Sequence, residues 1–146
     1  MASCLTDRTS WHGRNLYWKR RVSPNGAPWV GGSFFETIPE GGDAYLLKYI
    51  LHDWDDDHAI AILANCRKVM RADARLLVIE RVLPEKAEKG RRADTYLLDL
   101  EMLVNTPGGR ERSKSEFGEI LKAAGFGTPR LVQTTTATSI VEARPT

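Results

Sequence analysis

The chain has 146 residues, of which 42% are hydrophobic and 27% are charged, and its formal net charge is +2. This length fits one domain with a sizeable core, and no apolar run approaches the roughly 20 residues of a membrane-spanning helix. The two cysteines, Cys4 and Cys66, are too few for a disulfide framework or a cysteine-built zinc site. The first residues lack the apolar core of a signal peptide, so we expect a cytoplasmic protein with no membrane partner.

Residues 1–29, called the leader below, differ in composition from the rest of the chain. The leader holds five basic side chains against one acidic side chain, and three of the four tryptophans. Interleaved basic and aromatic residues can bind nucleic acid. However, the leader shows no helical or strand periodicity, and SPNGAP near its end is typical of turns. We therefore expect an unrelated or disordered leader and no nucleic-acid partner.

From about residue 30 onward, apolar strands alternate with amphipathic helices. Two nearly continuous apolar runs, Ala44–Leu51 and Arg75–Leu83, predict strands that are buried on both faces, as in a parallel sheet. Between them, apolar residues recur at helical spacing behind a run of aspartates, which predicts a helix over Asp57–Met70. Strand, helix and strand in this order form a βαβ unit, so the predicted fold class is α/β with helices covering the sheet.

The second half of the chain predicts two more helices and two short strands. One helix is predicted over Arg92–Val104. The next is marked by an S-x-x-E capping box at 113–116, by an apolar stripe and by Gly125 as a left-handed C-cap. The runs Arg130–Gln133 and Ser139–Ala143 predict an antiparallel pair of strands at one edge of the sheet.

Two ionisable residues stand where consecutive strands of this sheet are predicted to end. His52 directly follows the first run, and Glu80 lies near the end of the second. The carboxyl ends of parallel strands meet at one rim, where ligands bind in open α/β sheets. A carboxylate that orients a histidine there makes a general-base arrangement. The same spacing also fits a helix-capping histidine and an ordinary exposed glutamate.

Other charged residues near this rim invite two further interpretations. Lys48 is a charge within an apolar strand, so its ammonium group either reaches solvent at the strand edge or meets an anion. The run HDWDDDH, from His52 to His58, suggests a metal cluster, but its aspartates fit a helix N-terminus better. No metal is therefore predicted, and a metallohydrolase is the weakest of the functional alternatives.

Four strings in the chain form an ordered set of motifs: LLKYILHDWDDDHAIAILANCRKVM, LLVIERVLPE, DLEMLV and NTPGGRERSKSEFGEILKAAGF. Together they resemble the S-adenosylmethionine-dependent O-methyltransferases of the caffeate and hydroxyneurosporene type. The resemblance covers about residues 30–146. It implies a Rossmann-like methyltransferase fold, S-adenosylmethionine as cofactor, and a small hydroxylated acceptor of aromatic or polyketide-like character.

The resemblance also implies roles for individual residues. His52 matches the family's catalytic base, and Glu80 and Glu111 match the two acidic residues that flank it. Met102 matches a methionine that helps to clamp the acceptor ring. The residues that match cofactor-binding positions are Ser33, Phe34, Lys48 and Trp54. Two of them depart from the family's Gly-Asp-Met-Phe segment, since serine replaces the aspartate and phenylalanine the methionine.

Several parts of the family's pattern have no visible counterpart in the chain: the N-terminal helical dimerisation domain, the first strand with its Gly-rich turn, and the ribose-binding acid. The resemblance therefore implies that residues 30–146 are the C-terminal part of the catalytic domain, truncated and lacking the first strands. The strand that bears Lys48 would then have an open edge, which favours association. We expect a homo-oligomer or a partner of a complementary methyltransferase fragment. The alternative function is a non-catalytic fragment that associates with a full-length relative.

Overall fold

The structure, a computed structural model, describes residues 2–5, 31–86, 94–106 and 108–146. Within these ranges the chain forms one mixed sheet, a small second strand pair and three α-helices. The strands are β1 (Ala2–Leu5), β2 (Ala44–Lys48), β3 (Arg75–Glu80), β4 (Val82–Leu83), β5 (Arg112–Ser113), β6 (Arg130–Gln133) and β7 (Ser139–Ala143). The helices are α1 (Asp56–Val69), α2 (Asp94–Asn105) and α3 (Lys114–Ala123).

The main sheet has five strands in the order β1-β2-β3-β7-β6. Strands β1, β2 and β3 are parallel, whereas β7 runs antiparallel to both β3 and β6. The βαβ unit predicted from the two apolar runs is confirmed as β2-α1-β3, and the antiparallel pair at one edge is confirmed as β6-β7. Strands β4 and β5 form a separate parallel pair, which the sequence did not predict.

Strand β1 contradicts two expectations, one about the leader and one about the edge of β2. It lies within the segment for which no strand was predicted, and it pairs with β2, placing Ala2 opposite Ala44 and Leu5 opposite Leu47. The outer edge of β2 is therefore hydrogen-bonded. The prediction that the strand bearing Lys48 has an open edge is therefore wrong, because β1 of the same chain pairs with the backbone groups of that edge. Residues 6–30, the rest of the leader included, lie outside the described residues.

The core lies on one face of the sheet, between the strands and helices α1 and α3. Buried and half-buried residues alternate along β2 and β3, so Leu47 and Val78 are fully enclosed while Leu46 and Ile79 are only partly covered. The prediction that both faces are buried is therefore wrong for the described residues. Among the described residues the second face is partly shielded, which is enough to favour apolar side chains on it.

Local sequence signals account for where the helices begin and end. Helix α1 begins after Asp55, whose side chain accepts a hydrogen bond from the N–H of His58. Helix α3 begins with the predicted capping box, in which both reciprocal hydrogen bonds of Ser113 and Glu116 are present. Gly125 follows it with φ +85°, as a left-handed C-cap requires. Among the described residues, no helix has both the length and the apolar character needed to cross a membrane.

Candidate active site

The turn that carries His52 begins where β2 ends, three residues earlier than predicted. Tyr49 adopts φ +54°, a left-handed conformation that a tyrosine rarely takes, and its N–H donates to the Ile79 carbonyl oxygen at 3.2 Å. The chain then forms a 3-10 turn over Leu51–Asp53. The second apolar run also divides, because the chain leaves β3 after Glu80 and pairs again as β4. Both breaks lie at the rim where the sequence predicts the site.

Glu80 is the anchor of this turn. Glu80 is fully buried, and its Oε1 accepts hydrogen bonds from the N–H groups of Ile50 at 2.9 Å and Leu51 at 3.0 Å. Its Oε2 lies 2.7 Å from Nδ1 of His52. The alternative of an ordinary exposed glutamate is therefore wrong. One carboxylate holds both the backbone before His52 and the imidazole ring itself.

His52 lies between two carboxylates, and only 15% of its side chain is exposed. Its Nε2 is 3.2 Å from Oδ1 of Asp53, on the side opposite Glu80. Burial alone lowers the pKa of His52, but the hydrogen bonds of Asp53 and Glu80 outweigh it and raise the pKa to about 10. The two carboxylates thus favour the imidazolium form of the ring, with Nδ1 turned towards the core and Nε2 towards the more exposed Asp53.

Glu111 completes the cluster that the resemblance implied. Donor atoms of His52, Glu80 and Glu111 all lie within 4.8 Å of one another. Glu111 is buried, its Oε2 has no hydrogen-bond partner, and burial raises the pKa of this carboxyl to about 7. Its backbone N–H donates to Oδ1 of Asp99 at 2.9 Å. One imidazole nitrogen with two carboxylates is also a donor set that suits a divalent cation.

The acidic run beyond His52 has a structural use. Asp55 caps α1, and its Oδ1 also lies 2.7 Å from Nδ1 of His58. Asp56 binds the guanidinium groups of Arg110 and Arg112. The aspartates therefore stabilise the helix N-terminus and its neighbouring arginines, as the sequence favoured over a metal cluster.

An aromatic patch, made of Phe34, Phe35, Trp54 and His58, lies beside the turn. The Trp54 ring meets Phe35 edge-on at 4.8 Å between centroids, and His58 lies 5.6 Å from Trp54. The side-chain amide of Asn65 donates to the carbonyl oxygens of Phe34 and Phe35, at 3.1 and 2.8 Å. These contacts hold the 34–35 backbone against α1 and leave the Phe34, Phe35 and Trp54 rings half-buried.

The remaining residues implied by the resemblance take separate positions. The Ser33 hydroxyl accepts a hydrogen bond from the N–H of Phe35 at 3.3 Å, which fixes the turn before the patch. Lys48 is exposed at the end of β2, with Nζ 5.7 Å from the ring centroid of Tyr49, so its ammonium group reaches solvent at the strand end. Met102 is half-buried on α2, and its carbonyl oxygen accepts from Thr106.

Sequence reasoning missed three residues that contact the turn. Asp53 was considered only within a metal cluster, although its place next to His52 is a usable signal. The ring of Tyr49 lies 5.6 Å from that of His52, because the left-handed backbone turns it there. Arg112 is fully buried against the turn. An arginine in a polar string gives no sign of such burial, since its partners are distant in sequence.

Comparison with known proteins identifies the family. The sequence-family model described as the O-methyltransferase domain matches residues 19–127, a range that includes part of the leader. The chain belongs to this family. The predicted resemblance is therefore confirmed, and so is the Rossmann-like methyltransferase fold.

Individual relatives agree with this assignment. The chain is 48% identical over 118 residues to a phenazine O-methyltransferase of Lysobacter antibioticus, covering 80% of this chain and 33% of that protein. A mitomycin 7-O-methyltransferase structure is similar with a TM-score of 0.76 and 41% identity, covering 84% of this chain and 35% of the other. An O-methyltransferase from neocarzinostatin biosynthesis, solved with S-adenosylmethionine and 2-hydroxy-5-methyl naphthoic acid, has a TM-score of 0.68 and 38% identity, covering 80% and 33%. The chain thus spans about a third of the length of these relatives.

Proposed function

We propose that this chain forms the proton-accepting part of an S-adenosylmethionine-dependent O-methyltransferase site. The acceptor would be a small aromatic or polyketide-like molecule with a hydroxyl group, the class of compound named for several relatives. One observation carries the proposal: buried Glu80 holds Nδ1 of His52 at 2.7 Å, so that Nε2 faces the more exposed side, where Asp53 meets it. A ring fixed at one nitrogen and accessible at the other is suited to take a proton from a bound hydroxyl.

The proton transfer requires that Asp53 leave Nε2. An acceptor hydroxyl within hydrogen-bond reach of Nε2 would take the place of the Asp53 carboxylate. Asp53 is one of the two carboxylates that raise the pKa of His52, so its departure lowers this pKa, and the Nε2 proton of the imidazolium is released to solvent, which leaves a neutral imidazole with a free Nε2. The hydroxyl proton then moves to Nε2, and Glu80 stabilises the imidazolium that forms. Such a base contributes about 10²–10⁴-fold to the rate.

The residues present fit the adenosine end of the cofactor. The aromatic patch offers half-buried flat rings, to which a purine can stack, and Asn65 fixes the backbone that carries two of them. Phe34 and Trp54 would bind the adenine, Ser33 would shape the turn beside it, and exposed Lys48 would approach from the end of β2. When bound, S-adenosylmethionine supplies the electrophilic methyl group. Met102 would pack against the acceptor ring from α2.

The proposal is tested by methyl transfer from labelled S-adenosylmethionine to a panel of hydroxylated aromatic acids. The chain is assayed alone and mixed with the N-terminal two thirds of the phenazine relative as a complementary fragment, and the oligomeric state of both preparations is measured. We expect His52→Gln to lower kcat by ~10²-fold or more at saturating cofactor. His12→Gln is the matched control, since His12 lies in the leader and has no part in the proposed site. Equal losses in both variants, or no transfer in either preparation, would overturn the proposal.

A further inference from the structure

Arg112 donates hydrogen bonds to backbone carbonyl groups of the His52 turn. Among the described residues, it is the only side chain that does so. The Arg112 side chain has no exposed surface, which is rare for arginine unless its donors are all used. Its Nη1 donates to the Leu51 carbonyl oxygen and its Nη2 to that of Trp54, each at 2.8 Å. These two carbonyls lie on either side of the His52–Asp53 pair.

Gly109 packs closely against the carbonyl group between them, that of His52. A Cβ at this position would overlap the carbonyl oxygen of His52 and Oγ1 of Thr106, so only glycine allows the approach. The N–H of Gly109 donates to Oγ1 of Thr106 at 2.6 Å, and that hydroxyl donates to the Met102 carbonyl oxygen at 2.7 Å. The end of α2 therefore fixes Gly109 against the back of the His52 turn.

The turn is thus held from two sides. Glu80 accepts from the N–H groups that enter it, and Arg112 donates to the carbonyl groups around it. We propose that Arg112 is a positioning residue, which sets the imidazole of His52 against Oε2 of Glu80 by fixing the backbone on the opposite side. The inference rests on the proposed function in one respect: it assumes that the position of His52 matters for proton transfer.

The shape of the guanidinium explains why arginine occupies this place. Asp56 accepts from Nε at 3.0 Å and from Nη2 at 2.8 Å through the same oxygen, and the Arg110 carbonyl oxygen accepts from Nη1 at 3.5 Å, so three nitrogens of one planar group reach four separate acceptors. A lysine carries all its donors on a single nitrogen, so it cannot reach all of these acceptors at once. Arg112→Lys therefore keeps the charge but leaves at least one carbonyl of the turn without a donor.

Arg110 provides a matched control for the charge network. Its guanidinium binds the other oxygen of Asp56 at 2.8 Å and Oε1 of Glu116 at 2.6 Å, and 40% of its side chain is exposed. Arg110→Lys therefore alters the same aspartate without removing a donor to Leu51 or Trp54. Arg110→Lys controls for a weakened partner of Asp56, so a larger effect in Arg112→Lys reports on the buried hydrogen bonds that Arg112 makes.

The experiment follows the imidazole nitrogens of His52 by NMR in protein with ¹⁵N-labelled histidine, using His52→Gln to assign the signals. In Arg112→Lys we expect the pKa of His52 to fall by about one pH unit or more, towards the value of free histidine. In Arg110→Lys we expect a change of less than about 0.3 units. In an active preparation, Arg112→Lys should also lower kcat by ~10-fold while the acceptor KM changes less than about twofold.

Gly109→Ala provides a second test in case the Arg112→Lys protein does not fold. It leaves Arg112 intact but forces the Gly109 backbone away from the His52 carbonyl, so the same fall in the pKa of His52 is expected. If the folded variants lose melting temperature while the His52 signals stay as in the unaltered chain, Arg112 is only structural and the proposal is overturned. The NMR measurement needs neither cofactor nor methyl transfer, so a failure of the proposed function is recognised separately by the transfer assay.

Discussion

The His52 turn and the aromatic patch are neighbours in the fold but are held by different forces. The turn is fixed by hydrogen bonds with buried charged groups: Glu80 accepts from it on one side and Arg112 donates to it on the other. The patch is held by ring contacts and by one amide side chain, that of Asn65, and its rings stay half-buried. Hydrogen bonds to buried charges are directional and costly to leave unmade, whereas ring contacts tolerate displacement. The part proposed to take the proton is therefore the rigid one, and the part proposed to bind the cofactor is the adaptable one.

Removing Glu80 tests the rigid part most severely. Glu80→Ala leaves two N–H groups and a buried imidazolium without their acceptor, so we expect the free energy of unfolding to fall by ~3–5 kcal/mol. Glu80→Gln keeps an acceptor for the N–H groups but loses the charge, and should cost about half as much. Urea denaturation monitored by circular dichroism measures both losses. Equal losses for alanine and glutamine would show that the charge, not the backbone contacts, dominates.

The pH dependence of stability tests the charge on His52. Its pKa is about 10 in the folded chain against 6.5 for the free side chain, so the folded state binds the proton more tightly. The resulting stabilisation is fully present below pH ~6.5 and is lost as the pH rises towards 10. We expect the difference in stability between the unaltered chain and His52→Gln to shrink over this interval in denaturant titrations. A difference that is constant from pH 6.5 to 10 would contradict the raised pKa.

Glu111 should show a smaller effect in a separate pH window. Burial raises its pKa from 4.5 to about 7, so the folded state favours the protonated carboxyl. Stability from this group is complete below pH ~4.5 and is lost as the pH rises to 7. Glu111→Gln removes the penalty of a buried charge with an unpaired oxygen, and should stabilise the chain by ~1–2 kcal/mol at pH 8 but not at pH 4.5. Thermal melting at the two pH values checks the sign, and equal shifts at both would count against it.

Features that follow from local sequence patterns could be predicted, whereas contacts between residues far apart in the sequence could not. The capping box of α3 and the β2-α1-β3 unit follow from patterns within a few residues, and both are confirmed. His52 and Glu80 could be placed at one rim because parallel strands bring their ends together. Their contact, however, depends on a break in β2 at Tyr49, for which a continuous apolar run gives no signal.

Other features depend on partners far along the chain. Arg112 is buried because it meets the Leu51 carbonyl, 61 residues away in sequence, and no local pattern contains that information. Strand β1, with the sequence ASCL, was missed because it contains none of the β-branched or aromatic residues that mark a strand. The role of Glu111 came from the family resemblance alone, and it stays a prediction.

The smallest expected effect concerns the adaptable region. Asn65→Ala removes two hydrogen bonds from the amide to the carbonyl oxygens of Phe34 and Phe35, at a partly buried site where water can replace the amide. We expect a loss of only ~1 kcal/mol in the free energy of unfolding, well below the loss in Glu80→Ala. The same change frees the backbone that carries two rings of the patch, so the affinity for adenosylhomocysteine should fall several-fold while the pKa of His52 is unchanged. Calorimetry and the histidine NMR signals measure these two quantities on the same protein. If Asn65→Ala shifts the His52 pKa as strongly as Arg112→Lys does, the two regions are one coupled unit, and the division into a rigid and an adaptable part is wrong.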